Sequence, residues 1–225
     1  MEYLLFFLIS TAITVFCFWN LHKKSIIRVG DINGLLKFKS SENTNGEKIY
    51  FALTILTCLI LSYVLQVLIY KNTDYIAFAK LCVLYAILVS ASMIDFKLKI
   101  IPNYLVLIGL GARAVIYVLE IFISSNLKDV ILSDLIGFAL GFGVFAFVSV
   151  ITKQALGFGD AKLFAVVGLT LGSFGTYSVM FTSVLVSAVI SIFLLIFKKR
   201  GRKDSIPFGP CIFIGYILTL LLGSY

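Results

Sequence analysis

Charged residues are scarce in this sequence. They make up 13% of the 225 residues, while hydrophobic residues make up 60%. Ordinary soluble domains carry about 25% charge. A soluble fold of this size has too little interior to hide so much apolar surface. The same figures exclude fibrous, disordered and disulfide-stapled classes. Histidine occurs once, as His22, which rules out a histidine triad or a histidine-rich metal site. The four cysteines, Cys17, Cys58, Cys82 and Cys211, are far apart in the chain. They form no CxxC pair and no zinc-ligand spacing, and each reads as a small buried apolar side chain. The first run, Met1–Trp19, lacks the basic start and small-residue end of a cleaved signal peptide. With Glu2 in front and His22, Lys23 and Lys24 behind, it reads as a retained first span with its N-terminus outside.

Long apolar runs dominate what is present. A membrane-crossing helix needs about 20 largely apolar residues. Ile49–Tyr70 qualifies without a charge, and Tyr75–Ile94 qualifies with Lys80. Pro102–Ser125 carries Arg113 and Glu120, and Val130–Ile151 carries Asp134. Leu163–Phe197 is uncharged and too long for one simple span, and Gly172-Ser-Phe-Gly175 divides it in two. The last run, Cys211–Tyr225, is short for a hydrocarbon core of ~30 Å. The reading is an all-α polytopic membrane protein with about eight transmembrane helices, forming one integral membrane domain over 1–225.

The distribution of basic residues sets the orientation. Lys23, Lys24, Arg28, Lys37, Lys39 and Lys48 fall in the first loop, and Lys97 and Lys99 in the second cytoplasmic segment. Lys153 and Lys162 fall in the third, and Lys198, Lys199, Arg200, Arg202 and Lys203 in the fourth. Only Lys71, Lys80, Arg113 and Lys128 lie elsewhere. The positive-inside rule then places both termini outside. The excess of 19 Lys+Arg over 11 Asp+Glu is therefore topological, and no nucleic-acid partner is expected.

Two aspartates stand in distinctive settings. Asp95 follows the apolar run ending Ser92-Met-Ile, and Asp160 closes Gly157-Phe-Gly-Asp160 ahead of Ala161-Lys162. The topology brings both to the cytoplasmic boundary. An ionisable residue at membrane depth is costly and marks a functional candidate, although a boundary aspartate is also a common helix end. Two such carboxyls on one face suggest a pair sharing a proton, one acting as base toward water and the other donating to a carbonyl. Gly157 and Gly159 would let a substrate strand approach the backbone. All three prolines, 102, 207 and 210, fall at cytoplasmic ends of spans, and Pro102 suits a first helical turn.

These residues resemble a known family. Asp95-Phe-Lys-Leu-Lys-Ile-Ile-Pro102-Asn103 is similar to the first active-site motif of type IV prepilin peptidases. Gly157-Phe-Gly-Asp160-Ala-Lys162 resembles their GxGDxK motif, and Ile206-Pro207-Phe208-Gly209-Pro210 their third, non-catalytic signature. The resemblance covers roughly Tyr75 to Tyr225, which it marks as an aspartyl peptidase core over 75–225. It implies an intramembrane aspartyl endopeptidase in the prokaryotic cytoplasmic membrane, with Asp95 and Asp160 catalytic. Such enzymes remove basic leaders from type IV prepilins or pseudopilins at the cytoplasmic face. The peptidase step needs no cofactor.

Many bacterial members also methylate the new N-terminus with S-adenosylmethionine, using a large loop that often binds zinc through paired CxxC motifs. Here the corresponding loop, 22–48, is short and holds no cysteine. That argues against S-adenosylmethionine binding and against zinc.

Other readings stay open beside this one. A preflagellin-type peptidase differs mainly in substrate, and a catalytically idle pilus or secretion assembly factor would keep the fold. A presenilin-type protease would place Tyr before the first Asp, where this chain has Ile94. A small transporter would use Arg113, Glu120 and Asp134 as a mid-membrane path. Arg113 needs a partner at that depth, and Glu120, two turns away on the same helix, and Asp134 are the candidates. Lys162 reads as a cation favouring the Asp160 carboxylate, as a partner for a substrate acid, or as a topological lysine.

Overall fold

The computed structural model describes residues 75–123, 126–151, 157–196 and 207–223. The chain divides into two compact units, Met1–Lys71 and Asn72–Tyr225, and every described residue lies in the second. The first span, the 22–48 loop, the Ile49–Tyr70 span and the placement of the N-terminus lie outside the described residues.

The described residues form five helices: α1 Tyr75–Leu98, α2 Asn103–Ile123, α3 Leu127–Ile151, α4 Phe158–Ile196 and α5 Gly209–Leu221. In lipid every backbone N–H and C=O needs a partner within the protein, and the helix supplies one locally. Four helices, α1 to α4, are long and apolar enough to cross a membrane, while α5 has 13 residues. Boundaries differ from the hydropathy reading at the polar ends. Asp95 lies inside α1 and Asp160 inside the first turn of α4, because a helical backbone continues past the last apolar residue. Pro102 sits just before α2 rather than within its first turn.

Helix α4 breaks at Gly172, where φ is 71° and ψ −170°. A Cβ built on Gly141 of α3 would meet the Phe164 carbonyl oxygen at 2.6 Å and Thr176 Cγ2 at 3.2 Å. In a straight helix those two residues would stand about 18 Å apart. The chain therefore doubles back at Gly172, giving a first arm of 158–171 and a second of 173–196. The division at Gly172–Gly175 expected from the sequence is this reversal.

The reversal interrupts the helical ladder, and side chains repair it. In an unbroken helix the Ser173 N–H would donate to Leu169 O. Here Ser173 N–H donates to Ser133 Oγ at 3.2 Å, and the Leu169 carbonyl accepts from Arg113 Nε at 2.7 Å. Thr176 Oγ1 donates to Gly172 O. Arg113 is 2% exposed and also binds Glu120 Oε2 at 2.9 Å and Asp134 Oδ2. Lys80 of α1 pairs with Glu120, and Tyr117 Oη donates to Asp134 Oδ2 at 2.7 Å. Two cations and two anions thus neutralise one another away from water. Both partners expected for Arg113 are present, the Leu169 carbonyl is a third, and Lys80 joins the cluster through Glu120.

Helix α3 packs most extensively on α4, through glycines. A Cβ on Gly137 would lie 2.6 Å from Gly168 O and from Gly172 C, so backbone meets backbone there. Small residues permit such approach between membrane helices, where packing rather than the hydrophobic effect holds them together. Gly141→Ala is expected to destabilise the fold by about 1–3 kcal/mol, because the nearest atom its methyl group would have to displace, the Phe164 carbonyl oxygen, is backbone. Gly143, two residues on, has nothing within 4 Å of an added Cβ, and Gly143→Ala should leave stability unchanged or raise it by up to about 1 kcal/mol. Thermal unfolding of the two variants in detergent checks this contrast.

Helix α5 is tied on two sides. Tyr216 Oη donates to Leu81 O of α1 at 2.9 Å, and Thr182 Oγ1 of the second α4 arm donates to Gly215 O at 3.0 Å.

Candidate active site

Asp95 and Asp160 are 6% and 7% exposed. They lie close enough for the charge of Asp95 to act on Asp160, and both act on the Cys211 thiol. Chain positions 65 residues apart are thus brought to the same end of the helix group. Carboxyls within electrostatic reach of each other lose their protons as a coupled pair.

Asp160 is the third residue of α4. Its N–H donates to Gly157 O at 3.0 Å, and the Gly157 N–H faces the carboxyl. This is half of a capping box, in which a third-position carboxylate reaches back to the N-cap amide. A Cβ on Gly157 would lie 3.2 Å from Asp160 Oδ2, so glycine gives the carboxyl its room. Gly159 serves a different contact, since its Cβ would lie 3.0 Å from Ile101 Cβ. The α1–α2 connection therefore crosses directly over the start of α4. Lys99 steers that connection with a φ of 52°, and its N–H donates to Asp95 O at 2.9 Å.

Asp95 is held by another helix. Its Oδ2 accepts the Gly209 N–H at 2.7 Å, and the Phe208 N–H acts on the same carboxyl electrostatically. Phe208 is the N-cap of α5 and Gly209 its first residue, where backbone donors lack helical partners. Pro210 has no N–H to satisfy. The Pro207 carbonyl accepts from Cys211 Sγ at 3.9 Å. The Phe208 ring lies 5.7 Å from Phe145 and 6.4 Å from Phe164, which stack on each other at 4.1 Å.

Lys162 does not pair with Asp160. Its Nζ donates to Asn103 Oδ1 at 2.8 Å, joining the first turn of α4 to that of α2. The favouring of the Asp160 carboxylate considered from the sequence gives way to this tie, because the lysine at position 162 reaches across to α2. The contact is exposed, and an exposed hydrogen bond is easily replaced by water. Lys162→Met should therefore lower activity no more than about tenfold, since a hydrogen bond to a charged group is worth about 1.5 kcal/mol at the low end. A leader-removal assay on the purified variant checks this.

Each motif residue named from the sequence falls in or beside this region. Sequence reasoning missed the Phe208–Gly209 contact with Asp95 and the seating of Ile101 on Gly159. The proline-flanked pair at a helix start was the available signal for the first, while the second had none. Among the described residues no group of three or more His, Cys, Asp or Glu is placed to hold a metal ion.

The model of the type IV leader peptidase family matches residues 82–195, half of the chain. The chain belongs to the type IV leader peptidase family. It is 31% identical over 145 residues to a prepilin leader peptidase/N-methyltransferase of Bacillus subtilis, covering 63% of this chain and 55% of that protein. Similar proteins of the same description occur in Aeromonas hydrophila, at 30% identity over 61% of this chain and 47% of that protein. In Xanthomonas campestris the figures are 32%, 63% and 49%. The aligned part of the chain thus spans about half the length of these leader peptidase relatives. No solved structure matches the chain. The family match includes both aspartates, and Pro207–Pro210 lies beyond its end.

Proposed function

We propose that this protein is an intramembrane aspartyl endopeptidase that removes leader peptides from type IV prepilins or pseudopilins. The observation that carries the reading is the meeting of Asp95 and Asp160, buried and within electrostatic reach, in a chain of the leader peptidase family. One carboxylate takes a proton from a water, which attacks the scissile carbonyl. The other, protonated, donates to the carbonyl oxygen; as the C–N bond breaks, the first passes the proton it took from water to the departing amine and the second recovers its own from the hydroxyl. Gly157 keeps the space beside the Asp160 carboxyl open, and Gly159 lets Ile101 of the α1–α2 connection seat on the start of α4. Pro102, Asn103 and Lys162 hold the α2 and α4 ends together, and Pro207 to Pro210 support Asp95. The peptidase step uses no metal or organic cofactor.

The core of this enzyme is 75–225, within eight spans with both termini outside. Its site faces the cytoplasm from the cytoplasmic membrane, supported by the positive-inside distribution. The short, cysteine-free 22–48 loop is a reduced counterpart of the methyltransferase region. It argues against S-adenosylmethionine and zinc, and the product is expected without a methyl group.

The test is the intact mass of a prepilin co-expressed with this protein. Loss of the leader alone is expected. A further mass of about 14 Da, one methyl in place of a hydrogen, would overturn the reduced-loop reading. An unprocessed prepilin beside folded enzyme would overturn this substrate assignment in favour of a preflagellin substrate or an idle assembly role.

A further inference from the structure

The Phe208–Gly209 segment offers no side-chain acid, base or nucleophile, yet it touches both carboxyl-bearing helices. The Gly209 N–H donates to Asp95, and the Phe208 ring packs on Phe164, one turn beyond Asp160. We infer that Gly209 is a positioning residue for the peptidase reaction: its N–H clamps the Asp95 carboxyl in the orientation the reaction uses. The inference rests on the reading of Asp95 and Asp160 as the reacting pair.

Three features make the clamp specific. The first is the donor. The opening N–H groups of a helix lack internal partners and carry its partial positive charge, so they suit a carboxylate. In α5 the second residue is Pro210, which supplies no donor, and the Ile212 N–H returns to Phe208 O at 3.0 Å. The donor at Gly209 is thereby left for Asp95. The second is room. A Cβ at 209 would stand 2.9 Å from Asp95 Cβ and 3.0 Å from Oδ2. Any side chain there would push the carboxyl from its place. The third is anchorage. Helix α5 is fixed to α1 by Tyr216 and to the second α4 arm through Thr182, so the clamp cannot drift with the carboxyl. A carboxyl near a helix end has two side-chain torsions free, and an amide from a separate, fixed helix restricts them.

The full-length protein in nanodiscs, assayed on a purified prepilin, tests this. Gly209→Ala should lower kcat about 100-fold with KM within about twofold, since displacing a reacting group by about 1 Å costs that much. Unchanged kcat would overturn the inference. If the methyl group unfolds the protein, replacing the Gly209 amide by an ester deletes the N–H and adds no side chain. That change should lower kcat at least about tenfold, as for a lost hydrogen bond to a charged group, and wild-type kcat would overturn the inference.

The clamp can also be read without substrate. Cys211, two residues past Gly209, is 1% exposed. Its alkylation by a small membrane-permeant reagent, followed by peptide mapping, should be about tenfold faster in Asp95→Ala than in Asp95→Asn, which lacks the same charge but keeps an acceptor for the Gly209 N–H. Equal rates would overturn the clamp whatever the substrate. A wild-type protein inert toward prepilin would instead fail the peptidase reading, so the two failures are distinguishable.

Discussion

Asp160→Asn is expected to abolish leader removal while the protein still inserts and folds, and Asp95→Asn to do the same. The substitution keeps the shape of the side chain, removes its charge and its ability to give and take a proton, and turns one acceptor oxygen into an NH2 donor. Acid–base catalysis by one group is worth about 10²–10⁴ in rate, and members of a cooperating pair do not contribute independently. Each single variant should therefore fall below about 1% of wild-type turnover. Folding should survive for a local reason at each site. In Asp95→Asn the new side-chain carbonyl can still accept the Gly209 N–H, and in Asp160→Asn the first turn of α4 keeps its backbone bond from position 160 to Gly157 O. Single-turnover cleavage measured by intact mass, with membrane insertion measured in parallel, checks both. Turnover within tenfold of wild type in either variant would remove the paired-carboxyl mechanism.

Arg113→Met should act on the fold rather than on the chemistry. It deletes the cation that binds Asp134 and Glu120, and it also strips the Leu169 carbonyl of its donor at the break in α4. Lys80 can still serve Glu120, so the stranded groups are Asp134 and the carbonyl. Breaking a buried ion pair by removing one partner costs about 3–5 kcal/mol, and an unsatisfied buried carbonyl adds about 1–3 kcal/mol. Against a typical domain stability of about 5–15 kcal/mol, much of the folded protein should be lost. Thermal unfolding in detergent reads the loss. A double variant, Arg113→Met with Asp134→Leu, should recover part of it, because the second change removes the stranded charge. No recovery would assign the damage to the Leu169 carbonyl.

The same cluster weighs against the transporter reading. Arg113, Glu120 and Asp134 are all buried, and they bind one another and the interrupted backbone. Their cost at membrane depth is met inside the protein.

The sequence by itself determined that this is a helical membrane protein, because 60% hydrophobic residues in long runs admit no other arrangement of the backbone in lipid. It also marked Asp95 and Asp160, since a carboxyl beside an apolar run is rare enough to notice. The break at Gly172 was legible too, as glycine tolerates the left-handed φ that the reversal requires. What only the tertiary structure decided were contacts between residues far apart in the chain. Gly209 meets Asp95 across 114 positions and Lys162 meets Asn103 across 59. Hydropathy carries no information about which helix lies beside which, because lipid-facing and helix-facing residues are equally apolar. Nor does a backbone N–H differ from one residue type to the next, so a donor at Gly209 leaves no mark in the sequence beyond the small size of the residue that bears it.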